Sequence, residues 1–133
     1  MIAGVADTHA ALWFLFGDPR LSAAAKNFFD NAAAARRKIA LTPISLAEVV
    51  YLIEKNRVPA SAFDDLRTAL GNPNHVLEEA PFTAEVVQVM RQVSRDAIPD
   101  LPDRIVAATA VFLGVPLISR DGRIRASAVQ TVW

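Results

Sequence analysis

The sequence predicts an α/β fold with a parallel β-sheet, and three observations support this prediction. Short apolar runs alternate with longer helical patterns along the 133 residues, as in chains built from strand–helix units. Residues 103–110 have a helical pattern that is apolar on almost every side, which is typical of a buried helix. Residues 115–118 have no polar alternation, which is typical of a strand buried on both faces.

The first half of the chain contains two predicted strands and four predicted helices. A dense apolar helix follows the first strand and ends at Gly17-Asp18-Pro19. Ser22 is a favoured N-cap and marks the start of the next helix. The predicted strands are residues 2–6 and 38–42, and the predicted helices are residues 8–16, 22–36, 45–56 and 61–70.

The second half continues the alternation after a break at Asn72-Pro73-Asn74. A weak third strand is predicted over residues 75–79, and Thr83 opens a helix that runs to residue 96. The helix headed by Asp103, the strand from residue 115, a helical turn after Asp121 and a last strand over residues 129–133 follow. No repeat, low-complexity tract or long linker divides the chain, so we expect a single domain over residues 1–133.

Composition and charge restrict the possible functions. Acidic and basic residues number 14 each, so no global field attracts nucleic acid. Near the end of the chain, four arginines accompany the single acid Asp121, which is either a local positive patch or a solvated face. These arginines are Arg104, Arg120, Arg123 and Arg125. The absence of cysteine excludes disulfides and thiolate metal sites.

The sequence gives no sign of a membrane or export segment. No apolar run approaches the roughly 18 residues of a membrane helix. The first residues, Met-Ile-Ala-Gly-Val-Ala-Asp, lack the basic region of a signal peptide. We therefore expect a cytoplasmic protein.

Four acids stand where predicted strands end or helices begin. Each has an ordinary explanation: Asp7 and Asp103 are suitable N-caps, Asp121 belongs to an Asp-Gly turn, and Glu48 could form an ion pair. In a parallel sheet, however, these positions converge on one edge. Four acids at one edge repel each other unless a cation is present.

An oxygen-only ligand set without cysteine or paired histidines favours a hard cation, Mg²⁺ or Mn²⁺. Such an ion can activate water and neutralise charge on a phosphate, so phosphodiester hydrolysis is the expected reaction. Arg104 and Arg120 flank the acids and are candidates to hold phosphate oxygens, although solubilising surface charge explains them equally well.

Four segments, in this order, resemble PIN-domain ribonucleases, specifically the VapC-type toxins of bacterial toxin–antitoxin pairs. They are Val-Ala-Asp-Thr-His-Ala-Ala-Leu-Trp at residues 5–13, Ile-Ser-Leu-Ala-Glu at 44–48, Asp-Arg-Ile-Val-Ala-Ala-Thr-Ala at 103–110 and Leu-Ile-Ser-Arg-Asp at 117–121. Each segment alone is a weak signal, but the ordered set is specific and spans the whole chain.

The resemblance implies a three-layer α/β/α sandwich around a parallel sheet of order 3-2-1-4-5. It also implies Mg²⁺- or Mn²⁺-dependent endonucleolytic cleavage of RNA, a homodimer, and inhibition by a small VapB-like antitoxin that covers or enters the acidic cleft. By motif, the principal acids are Asp7, Glu48 and Asp103, the fourth is Asp121, and the polar neighbours are Thr8 and Ser119.

One segment departs from the family pattern. Family members often have Asp-Pro-x-Asp-Arg before the helix, whereas this chain has Asp100-Leu101-Pro102-Asp103-Arg104. Because the proline is moved by one position, we treat Asp100 as accessory.

Other classes of protein fit the sequence less well. A receiver-like phosphoacceptor domain would need paired acids after the first strand and a late lysine, but the last lysine is Lys55. A dinucleotide-binding domain would need a Gly-rich turn, and a haloacid-dehalogenase-like phosphatase would need an acid where His9 stands. A PIN-like domain that binds without cutting is the remaining alternative, which the four acids argue against.

Overall fold

The computed structural model describes all 133 residues, and its centre is a five-stranded sheet of order β3-β2-β1-β4-β5. Every pair of neighbouring strands is parallel. The predicted α/β class, parallel sheet and strand order are therefore confirmed. The strands are β1 (Ile2–Ala6), β2 (Lys38–Leu41), β3 (Leu77–Glu79), β4 (Leu117–Ile118) and β5 (Thr131–Val132).

Seven helices connect and flank the strands, and most begin at a polar residue that caps the first turn. Ser22, Thr42 and Thr83 each accept a hydrogen bond from a backbone N–H in the following turn, which satisfies a donor that the helix itself cannot pair. The helices are α1 (Thr8–Leu15), α2 (Ala23–Ala34), α3 (Pro43–Glu54), α4 (Ala62–Gly71), α5 (Ala84–Met90), α6 (Leu101–Leu113) and α7 (Gly122–Arg125).

Two apolar cores lie on opposite faces of the sheet, because successive strand residues point in opposite directions. Ala40 and Leu117 belong to the core formed with α5 and α6. Their neighbours Leu41 and Ile118 belong to the core formed with α1 to α4. The result is the expected helix–sheet–helix sandwich, in which the central strands are buried on both faces.

Some predicted boundaries are wrong, and the helix predicted over residues 83–96 differs most. It ends at Met90, where the backbone changes to hydrogen bonds three residues apart, and the guanidinium of Arg104 donates to the carbonyls of Met90 and Val93, at 2.9 Å each. A side chain thus satisfies carbonyls at the helix end and in the turns that follow. The helix predicted from residue 45 begins earlier, at Pro43, because proline is favoured in a first turn.

None of the helices has the length and apolar character required to cross a membrane.

Candidate active site

Two of the four predicted acids are helix N-caps at the carboxyl edge of the sheet. Asp7 follows β1, and its Oδ1 accepts the N–H of Ala10 at 2.9 Å. Asp121 follows β4, and its Oδ1 accepts from the N–H groups of Arg123 and Ile124, at 2.9 and 3.1 Å. The capping explanation therefore holds for both residues, and the same caps place both carboxylates at one edge.

The other two acids lie on helices that begin at this edge. Glu48 is in the second turn of α3, and Asp103 is in the first turn of α6. The structure brings these carboxylates together with Asp7 and Asp121 in one open pocket of about 250 Å³. The remaining lining residues are Thr8, His9, Trp13, Arg20, Val106 and Arg120.

The pKa of Asp103 lies well above the usual value of an aspartate. Partial burial, followed by the charges of Asp100, Asp121, Glu48 and Asp7, raises the pKa of Asp103 to about 7. A carboxyl with this pKa is largely protonated below neutral pH in the absence of a cation.

Hydroxyl groups lie beside the carboxyls of Asp7 and Glu48, whose pKa values are also raised mainly by burial. Burial raises the pKa of Asp7, and a hydrogen bond with Ser119 acts in the opposite direction. Burial likewise raises the pKa of Glu48, against the hydrogen bond from Thr8. Ser119 is fully buried, and its Oγ also accepts the N–H of Asp121 at 3.0 Å. Ser119 therefore affects both Asp7, through its pKa, and Asp121, through its backbone N–H.

Asp100, and not Asp103, is the N-cap of α6. Its Oδ2 accepts the N–H of Asp103 at 3.1 Å, and the helix begins at Leu101. The expectation that Asp103 heads this helix is wrong, because Pro102 occupies the first turn and leaves the cap to the residue before Leu101. Asp100 does not line the pocket, but its charge raises the pKa of both Glu48 and Asp103.

The two arginines predicted to bind phosphate occupy different environments. Arg120 is exposed and lines the pocket. Arg104 does not line it, and its Nη2 is committed to the carbonyls of Met90 and Val93. Its buried Nε has no hydrogen-bond partner. In this structure Arg104 joins the end of α5 to the start of α6, and its phosphate role stays a prediction.

Three pocket residues were missed by the sequence reasoning. Trp13 has the guanidinium of Arg20 and the guanidinium of Arg120 over its ring, with Cζ at 4.9 and 4.6 Å from the centroid. His9 lies one helical turn before Trp13, with ring centroids 5.5 Å apart. The spacing of four residues between His9 and Trp13 could have indicated this pair, whereas no local pattern indicates Arg20.

The donor chemistry of the pocket suits a hard divalent cation, since its candidate ligands are carboxylate oxygens. Burial and mutual repulsion also make these carboxylates a centre that a cation would stabilise. No group of three or more His, Asp or Glu side chains is arranged to hold a metal ion. The residues therefore fit such an ion in type and location, while their side chains are not arranged as a ready ligand set.

The fold and this pocket define a class of α/β proteins with acids clustered at the carboxyl edge of a five-stranded parallel sheet. The sequence pattern of the PIN domain matches residues 5–129, and the chain belongs to the PIN domain family. This assignment argues against the receiver-like alternative.

Known relatives match the chain over nearly its full length. Ribonuclease VapC22 of Mycobacterium tuberculosis is 28% identical over 130 residues, which cover 96% of this chain and 95% of the relative. The predicted resemblance to VapC-type PIN proteins is thus confirmed.

Solved structures with the same fold are more distant in sequence. VapBC2 from Rickettsia felis, bound to a DNA fragment from its promoter, has a TM-score of 0.71 at 18% identity, covering 98% of this chain and 97% of that one. VapC20 of M. tuberculosis, a toxin that cleaves the sarcin–ricin loop, has a TM-score of 0.61 at 18% identity, covering 96% of each chain.

Proposed function

We propose that this protein is a metal-dependent endoribonuclease and the toxin of a toxin–antitoxin pair. The observation that carries the proposal is the convergence of Asp7, Glu48, Asp103 and Asp121 on one pocket. Carboxylates that share a pocket repel each other unless they are protonated or a cation is bound. The similarity to ribonuclease VapC22 supports RNA as the substrate.

Mg²⁺ or Mn²⁺ is the proposed cofactor, with Asp7, Glu48, Asp103 and Asp121 as its candidate ligands. When bound, such an ion supplies activation of water and neutralisation of phosphate charge.

The chain's other residues orient the acids and the substrate. Thr8 holds Oε1 of Glu48 by a hydrogen bond of 2.7 Å, and the Ser119 hydroxyl lowers the pKa of Asp7. These contacts orient the Glu48 and Asp7 carboxylates, as groups behind metal ligands commonly do. Arg120, exposed at the pocket and without a carboxylate partner, binds a phosphate oxygen of the RNA. Asp100 is accessory and acts on the pocket through its charge.

The partners follow from the same comparison. Several similar structures are toxin–antitoxin complexes, such as one from Klebsiella pneumoniae with a TM-score of 0.66 at 20% identity, covering 98% of this chain and 97% of that one. We propose a VapB-like antitoxin that blocks the acidic pocket, a homodimeric toxin, and a single PIN-like domain over residues 1–133.

A second candidate function is an RNA-binding PIN domain that does not cut. It is favoured by the lack of three side chains arranged to hold one ion. Cleavage of RNA by the purified protein distinguishes the two functions.

The deciding experiment incubates the purified protein with a structured RNA, in chelator or in Mg²⁺ or Mn²⁺. We expect metal-dependent cleavage by the wild type, none by Asp7→Asn or Asp103→Asn, and unchanged cleavage by the control Asp64→Asn, since Asp64 is exposed on α4. Normal cleavage by either pocket variant would contradict the proposed four-acid metal site. RNA binding without cleavage by the wild type would favour the second candidate.

A further inference from the structure

Two arginines and four carboxylates line the same pocket, yet none of these acids is paired with an arginine. The structure contains two ion pairs, Arg20–Asp18 and Lys26–Asp30, and both lie outside the set of pocket acids. Opposite charges that share a small pocket attract each other strongly. Some feature of the structure must therefore keep the guanidinium groups away from the carboxylates.

That feature is the indole of Trp13. The Cζ atoms of Arg120 and Arg20 lie 4.6 and 4.9 Å from its ring centroid, within the range of cation–π attraction. The ring of Trp133 meets the indole edge to face, with centroids 5.9 Å apart and planes at 61°. This contact fixes the indole from a further side.

Asp18 adds a second restraint, which acts on Arg20 alone. Nε and Nη2 of Arg20 donate to Oδ1 and Oδ2 of Asp18 at 3.0 and 2.7 Å. Both oxygens of Asp18 are thereby occupied, while Nη1 of Arg20 makes no hydrogen bond in the structure. Arg120 forms no ion pair with a carboxylate, so its guanidinium is free to bind an anion at the pocket.

The burial of Trp13 decides what this cluster can bind. Its side chain is 5% exposed, so the indole has no free face on which a nucleotide base could stack. The exposed parts of the cluster are the guanidinium groups of Arg20 and Arg120. Planar guanidinium groups bind phosphate oxygens through paired N–H donors.

We propose that Trp13 is the positioning residue of an RNA-phosphate subsite, in which Arg120 and Arg20, stacked on its indole, bind backbone phosphates beside the one held at the acids. The inference rests on the proposed ribonuclease function and adds Trp13 and Arg20 to it. Arg120 is the principal ligand, and Arg20 contributes its free Nη1. Trp13 touches no RNA and acts by holding both cations off the carboxylates.

The test measures RNA binding separately from cleavage. The probe is a fluorescently labelled oligouridylate, bound by the full chain carrying Asp103→Asn, with fluorescence anisotropy read over a range of NaCl concentrations. In this background Arg120→Gln should weaken binding about tenfold, as expected for loss of a charge-assisted bond. It should also reduce the slope of log K against log [salt] by about 0.7, the value for one phosphate contact on a single strand.

Two further variants separate positioning from charge. Trp13→Leu keeps both arginines, yet it should weaken binding several-fold, by about the same order as the loss of one phosphate contact. Arg95→Gln removes an exposed arginine outside the pocket and should leave both affinity and salt slope unchanged. Circular dichroism establishes which variants are folded. Arg20 and Arg120 are exposed, so their variants test the phosphate contacts even if Trp13→Leu unfolds, and Trp13→Ala and Trp13→Phe, without and with an aromatic face, then test the positioning role.

Kinetics give a readout that a purely structural role would not move. In the active enzyme, Arg120→Gln should raise KM about tenfold and leave kcat nearly unchanged, since the contact is equal in ground and transition states. The inference is overturned if Arg20→Gln and Arg120→Gln bind the oligonucleotide as Arg95→Gln does. The positioning role is overturned if folded Trp13→Leu binds normally. Because cleavage by the wild type is scored separately, failure of the subsite is distinguishable from failure of the ribonuclease function.

Discussion

The hydroxyl of Thr8 donates a 2.7 Å hydrogen bond to Oε1 of Glu48, across 40 positions of sequence. Thr8 is buried in the first turn of α1, and Glu48 lies on α3. Glu48 forms no ion pair, so this bond is the contact that fixes its carboxylate. The bond makes the orientation of the Glu48 carboxylate depend on Thr8, the residue that directly follows Asp7.

Removing the Thr8 hydroxyl should therefore impair catalysis while preserving the fold. We expect Thr8→Val to lower the rate of RNA cleavage by about 10- to 100-fold, the usual cost of losing a group behind a metal ligand. Thr8→Ser keeps the hydroxyl and should retain most of the activity. Initial cleavage rates at saturating metal test this expectation, which a folded Thr8→Val enzyme of wild-type rate would contradict.

The raised pKa of Asp103 should make the stability of the metal-free protein depend on pH. The pKa of Asp103 is about 7 in the folded protein and about 3.9 in the unfolded chain. Between about pH 4 and about pH 7, Asp103 is therefore more often protonated in the folded state than in the unfolded state. This contribution is complete below about pH 4 and is lost as the pH rises through about 7. The Tm in chelator should therefore fall more over this interval for the wild type than for Asp103→Asn, and parallel profiles would refute the assignment.

Divalent metal should stabilise the folded protein, because an ion that binds only the native state shifts the unfolding equilibrium. At a concentration about 100 times its Kd, Mg²⁺ or Mn²⁺ would contribute about 2.7 kcal/mol. The increase in Tm should be smaller in Asp7→Asn. Equal increases in both proteins would indicate binding elsewhere, and no increase in the wild type would count against a metal site formed without RNA.

Arg104 should matter for stability more than for RNA binding. Arg104→Met removes the charge-assisted bonds to the Met90 and Val93 carbonyls, and we expect a loss on the order of 2 kcal/mol in the free energy of unfolding. Urea denaturation measures this loss. Arg120→Gln, an exposed change, should stay within about 0.5 kcal/mol of the wild type. A stable Arg104→Met variant with weak RNA binding would instead favour the predicted phosphate role.

The sequence predicts the sheet and the acidic edge well because both depend on local patterns. The strand order agrees with the family resemblance, and Asp7 and Asp121 directly follow strands whose apolar runs are visible in the sequence. The sequence from Asp100 to Asp103 also contains a pattern that identifies the N-cap of α6. A capping residue three positions before an acid, with proline between them, is a first-turn pattern, and it assigns the cap to Asp100.

The arginines could not be assigned in the same way, because a long side chain reaches partners that sequence distance does not reveal. Arg104 extends to carbonyls 11 and 14 positions earlier, at the end of α5 and just beyond it. Arg120 meets Trp13 only because β1 and β4 are neighbours in the sheet. Charge patterning identifies the residue type at such positions but not the direction of the guanidinium.

Asp7 and Asp121 each serve as a helix cap and as a pocket acid, which has a consequence for single-base mutations. Each carboxylate caps a helix with the same group that faces the pocket, and asparagine caps a helix about as well as aspartate does, whereas alanine costs about 1 kcal/mol. Aspartate and asparagine codons differ by a single base. A single-base change at either position would thus remove one carboxylate charge from the pocket and keep the helix cap, so the chemistry of the pocket can change while the fold is preserved.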